Sequence, residues 1–181
     1  SLVVVLGLVT CLIGAAFAMF SLASQDATEV SRLPEPKKRI HRAVYFVKGE
    51  EGRASDWRAK WNTVQSGELP AAVALREADL NAWSKRYLDP DKPETTGLFT
   101  LIPGDVNFRF TEDGMLQMGV PVEAVGLFPG KAPVLQLTGR LSVRGGKIVF
   151  SPVSGFLGKS PVGYVPVFNQ FSYRVVKSLF E

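Results

Sequence analysis

Two stretches decide the fold, DVNFRFTEDGMLQMGVPVEA at residues 105–124 and VLQLTGRLSVRGGKIVF at residues 134–150. In the first, Val106, Phe108 and Phe110 alternate with Asn107 and Arg109, and a period of two marks a strand with one buried face. Glu112-Asp113-Gly114 supplies a hairpin turn, after which Leu116, Met118, Val120, Val122 and Ala124 share a face. Pro121 points to an edge position or a bulge, because proline brings no N–H to the ladder. In the second stretch Leu135, Leu137, Leu141 and Val143 oppose Gln136, Thr138, Arg140 and Arg144, and Gly145-Gly146 turns the chain into Ile148 and Phe150. An antiparallel meander with one apolar face and one polar face is expected.

Outward from the meander the period changes to 3.6. Upstream, Ser55 offers an N-cap and Asp56 suits a first turn, with Trp57, Trp61 and Val64 at helical spacing behind them. A second helix is expected over Glu77 to Leu88, with Leu80, Trp83, Ser84 and Tyr87 in one stripe. Short strands fit AVYFV at 43–47 and AAVAL at 71–75. Downstream, Val167 to Phe180 repeats Phe168, Phe171, Val175 and Leu179, with Val176 and Phe180 beside them. An amphipathic helix must bury its stripe, and the apolar face of the meander is the partner at hand. Residues 43–181 therefore read as one globular domain of the α+β class.

The first 25 residues, SLVVVLGLVTCLIGAAFAMFSLASQ, carry no charge and are long enough to cross a bilayer core as a helix. Residues 1–25 are read as a transmembrane helix, and Gly7, Gly14, Ala15 and Ala18 would let a second helix pack closely against it. A secretory signal peptide cut after Ala16-Phe17-Ala18 and a lipoprotein modified on Cys11 are the alternatives; retention of residues from Ser1 favours an uncleaved anchor. Residues 26–42 read as a basic, proline-containing linker, in which Lys37, Lys38, Arg39 and Arg42 could touch lipid headgroups. Taken alone that basic cluster favours a cytoplasmic domain by the positive-inside rule, whereas basic residues upstream of Ser1 would reverse the sense. The arrangement of a span before a folded domain favours an extracytoplasmic domain on the inner (cytoplasmic) membrane.

Chemistry is sparse. The only histidine, His41, lies in the basic linker, and the only cysteine, Cys11, in the apolar run, so neither a nucleophilic triad nor a histidine- or cysteine-based metal site can be assembled. Asp89 and Asp91, like Glu112 and Asp113, fall in turns where such residues are common for structural reasons. Gly155 and Gly158 lack the strand-to-helix setting and the lysine-serine ending of a phosphate loop. A net charge of +4 without a basic stripe interleaved with aromatics gives no nucleic-acid signature. No catalytic residue, cofactor or metal is assigned, and the chain is expected not to be an enzyme.

The twelve Phe and three Trp are large for the chain's length. They can fill a core, or they can line an apolar groove for a lipid between sheet and C-terminal helix, at Phe108, Phe110, Leu116, Met118, Leu135 and Leu137. The helix with Trp57 and Trp61, the helix start LREADLNAW at 75–83, the run LTGRLSVRGGKIVFSPVSGFLG at 137–158 and the closing helix resemble a bacterial family of N-terminally anchored extracytoplasmic domains, themselves distantly similar to tubular lipid-binding proteins. That resemblance implies a lipid-contacting or assembly component of the periplasmic side and fixes no site residue. The expected role is a non-catalytic, single-pass accessory or scaffolding subunit, whose partners are other membrane protein subunits and the bilayer; the alternative is a membrane-anchored module that binds a lipid.

Overall fold

The computed structural model describes residues 2–51, 57–66, 74–87, 93–96, 99–126, 128, 130–144, 147–164, 169–170 and 172–176. In chain order its elements are α1 (Leu2–Ala23), β1 (Thr28–Val30), β2 (Tyr45–Val47), α2 (Trp57–Gln65), α3 (Glu77–Tyr87), β3 (Glu94–Thr96), β4 (Phe99–Pro103), β5 (Asn107–Phe110), β6 (Leu116–Val125), β7 (Val134–Arg144), β8 (Lys147–Leu157) and β9 (Ser160–Pro161). The fold is α+β: an apolar N-terminal helix and a seven-stranded antiparallel sheet with helices against it.

β6 is the axis of the sheet. β7 pairs along one side of it, and on the other side β4 and β5 follow one another, β4 opposite Val122–Val125 and β5 opposite Leu116–Gly119. Pro121 thus lies in a central strand and not at an edge. Its carbonyl accepts from Gly104 N–H on the side where the chain bends between β4 and β5, so the N–H that proline lacks would have faced that bend. A bulge does occur, but in β8: Thr138 pairs with Ser154 and Gly139 with Pro152, leaving Val153 without a partner. Proline and a bulge on β8 interrupt a strand that β9 accompanies only at Phe156 and Leu157.

The apolar face predicted from the alternation is the core face. Val106, Phe108, Leu116, Met118, Val120, Val122, Ala124, Leu135 and Leu137 are all buried, and Leu80, Trp83, Trp57 and Val175 from the helices complete the cluster. The rings of Trp83 and Phe108 stand 6.3 Å apart. Phe110 departs from the expectation at 38% exposed. It ends β5 beside the Thr111–Gly114 turn, level with Glu77 at the very start of α3, where no further helical turn covers it. The side chains of Trp61, Val64, Tyr87, Leu141 and Val143, the Gly145-Gly146 turn, Ser55, Asp56, residues 71–73 of the expected short strand, Asp89 and Asp91 lie outside the described residues. Of the expected C-terminal helix, residues 169–170 and 172–176 are helical.

The opposite face is less open than a one-sided sheet requires. Part of the segment read as linker, Thr28–Val30, forms β1 and pairs in parallel with β2. Phe46 of β2 packs over Gly119, where a Cβ would come within 2.3 Å of its ring. Asn107 Oδ1 accepts from Gly49 N–H at 2.7 Å on the same side. Gln136, read as a solvent-facing residue, shares the Gly119 row and is only 2% exposed, its Nε2 without a hydrogen-bond partner.

The free edge of β5 is closed by side chains. Phe108 N–H donates to Asn81 Oδ1 at 2.6 Å, and Asn81 Nδ2 donates to Phe108 O at 2.9 Å, so one amide side chain takes the place of a neighbouring strand. Glu77 accepts from Phe110 N–H at 2.7 Å and Ser84 donates to Val106 O at 3.0 Å. Glu77, Asn81 and Ser84 lie four and three residues apart on one helix face, matching the outward-pointing groups of alternate residues 106, 108 and 110. At the helix start Asp79 accepts from Arg76 N–H at 3.0 Å, the return half of a capping box.

Candidate functional site

The only described helix long and apolar enough to cross a membrane is α1, over Val3–Ala23, and a single such helix near the N-terminus fits a single-pass membrane protein. Most of it is bare: Phe17 is 77% exposed, and a Cβ added at Gly7 or Gly14 meets nothing within 4 Å. Its last turn is different. Ala23 is fully buried, and Met19 and Phe20 pack against the core of the domain. The helix therefore does not hand over to the domain through a loose spacer; its end is built into it.

The join is made by two loops of the sheet. Lys159 N–H donates to Leu22 O at 3.0 Å, and Ser24 and Gln25 N–H close back on Phe20 and Leu22, so carbonyls at the helix C-terminus find donors. Ser160 Oγ contacts Met19 Sδ at 3.5 Å, and the rings of Phe20 and Phe128 stand 6.5 Å apart. Gly158 adopts φ +56°, and a Cβ there would lie 2.3 Å from Gln25 O and 2.4 Å from Ala23 O, so both the conformation and the space require glycine. The lysine ammoniums gather at the same place: Lys131 Nζ donates to Ser24 O at 3.2 Å and Lys159 Nζ to Gln25 Oε1 at 3.3 Å. Positive charge at a helix C-terminus complements the negative end of its dipole.

The four small residues read as a packing surface lie on the exposed part of the helix. At 100° per residue, Gly7, Gly14 and Ala18 fall within about 40° of one another, with Ala15 beside them. Met19, Phe20 and Ala23, which hold the domain, centre about 170° away on the same wheel. The small-residue stripe thus faces away from the domain.

Other residues singled out in the sequence fall elsewhere. Phe108, Leu116, Met118, Leu135 and Leu137 are buried side by side in the sheet–helix core, and Phe110 stands apart from them at the end of β5. Lys37, Lys38, Arg39 and Arg42 are exposed on the segment between β1 and β2. There Lys38 pairs with Glu35 at 3.2 Å, Arg39 Nε donates to Pro34 O at 2.9 Å, and Arg42 takes φ +64°. Because β1 and β2 are parallel, this segment has to return to the level of Thr28, and Tyr45 OH accepts from Ile40 N–H at 2.9 Å on the way.

Among the described residues one titratable group is clearly perturbed, and its role is structural. Burial acts to raise the pKa of Asp79, but the Lys60 ammonium at 2.6 Å, the Arg76 amide and the Arg76 guanidinium outweigh it and hold the carboxyl below its ordinary value. The cluster ties α2 to the start of α3. Among the described residues no three His, Cys, Asp or Glu side chains gather as a metal site.

Reading from the sequence missed the join and the edge cap. Lys131 and Lys159 carry no periodic signal, each being a single lysine in a glycine-containing turn. Glu77, Asn81 and Ser84 did leave one, three polar residues on the flank of a helix whose Leu80 and Trp83 are core. Compared with family models, curated proteins and solved structures, the chain finds no match.

Proposed function

We propose that this chain is a non-catalytic, single-pass accessory subunit of a larger membrane assembly, its domain on the extracytoplasmic side of the inner membrane. The observation that carries the reading is the division of α1 into two faces. One holds the chain's own domain at the last turn; the opposite face, with Gly7, Gly14 and Ala18, is left bare and shaped for close approach by another helix. A helix fixed rigidly to its domain also fixes which way that domain faces relative to the partner.

The test is co-purification in mild detergent with Gly14→Leu and Ala18→Leu combined. Bulk at the stripe overpacks a helix–helix contact, whereas both positions are open in the isolated chain. The expected result is loss of co-purifying membrane proteins with unchanged thermal unfolding of the domain. Undiminished recovery of the same partners would remove the packing role. Side is read separately, by placing a cysteine at exposed Ser66 in a Cys11→Ser background and labelling intact cells with an impermeant maleimide.

A further inference from the structure

The apolar run of α1 ends at Ala23 and Ser24-Gln25-Asp26 follow, so in a spanning helix this is where the chain passes from hydrocarbon to headgroups. Met19 lies about 6 Å to the apolar side of Ala23 at the helical rise. Ser160, in contact with Met19, and Phe128, beside Phe20, are therefore carried down to the depth of that boundary together with their loops. Both ammonium groups of the join end at the polar side of it, on Ser24 and Gln25. Their acceptors are neutral, each uses one of three N–H donors there, and among the described residues neither makes an ion pair. The exposed carboxylate of Asp26 is the nearest acid along the chain and pairs with neither.

We infer that Lys131 and Lys159 form a site for the headgroup phosphates of anionic phospholipid, pressing this end of the domain onto the membrane surface. Two cations from separate loops, held at one depth by a helix end built into the domain, present unpaired donors where lipid phosphates lie. The domain thereby gains a preferred membrane composition as well as an anchor. This inference rests on the membrane-anchored reading above.

The experiment uses the full chain in mild detergent, with thermal unfolding followed as phosphatidylglycerol, phosphatidylcholine or inorganic phosphate is added. Phosphatidylglycerol is expected to raise Tm at concentrations where the other two do not. Each lysine near an anionic surface contributes about fivefold in affinity, so Lys131→Gln with Lys159→Gln should weaken the phosphatidylglycerol response about thirtyfold. Glutamine keeps a donor for Ser24 and Gln25, and a matched pair, Lys48→Gln with Lys85→Gln, lowers net charge equally and should keep the response. An unchanged response in the first pair, an equal loss in the second, or the same rise with inorganic phosphate would overturn the inference. Release of the wild-type chain from membranes by alkaline carbonate would overturn the anchor reading and this one together; retention without headgroup preference overturns this one alone.

Discussion

Replacing Asn81 by alanine should be among the most damaging single changes in the domain, although it removes only a small polar side chain. Its amide accepts from Phe108 N–H at 2.6 Å and donates to Phe108 O at 2.9 Å and to Glu50 O at 3.0 Å. Phe108 is 1% exposed, so water does not replace the lost partner at once. Two buried backbone groups that lose this hydrogen-bonding partner cost roughly 1–3 kcal/mol each, or about 2–6 kcal/mol together, a large part of an ordinary domain's stability. Asn81→Asp should do no better, since it keeps the acceptor for Phe108 N–H but turns both donors into a carboxylate facing two carbonyls. Thr63→Ala, which removes a hydroxyl bond to Ala59 O within α2, should cost under about 0.5 kcal/mol. Urea unfolding of the full chain in mild detergent, followed by tryptophan fluorescence, gives the energies, and hydrogen exchange at the Phe108 amide gives the location. A cost for Asn81→Ala no larger than that of Thr63→Ala, or an unchanged Phe108 exchange rate, would refute the claim that a side chain closes this edge.

Two further outcomes follow from the same contacts. Asp79 has a folded pKa below its ordinary value of 3.8, so its contribution to stability is full above about pH 5 and is lost as pH falls through 3.8 and below; Asp79→Asn should flatten that acid limb in a pH series of unfolding midpoints. Gly158→Ala places a Cβ against the Ala23 and Gln25 carbonyls at a positive φ, and should open the join without releasing α1 from the membrane. Limited proteolysis near Ser24–Asp26 should then speed up several-fold, and an unchanged cleavage rate would show that the join tolerates a side chain there.

Periodicity carried much of the fold into the sequence. A strand that buries one face repeats every second residue and a helix every third or fourth, so Phe108, Met118 and Leu135 could be placed inward, and Leu80 and Trp83 on a core stripe, from spacing alone. The uncharged run before Gln25 likewise marked a helix of bilayer length. Periodicity states which face is hidden but not what hides it. That Gln136 is buried on the face expected to meet water, that Pro121 sits beside a bend and not at an edge, and that Phe110 outruns its helix were settled by segments distant in sequence meeting in space. The join is the clearest case: Ser24 meets Lys131 and Gln25 meets Lys159 across more than 100 residues. Each of those residues, read in its own neighbourhood, is an unremarked polar position in a turn. Tertiary structure decided their role, because carbonyls at the end of an apolar helix need donors, and the loops of the sheet bring Lys131 and Lys159 to them.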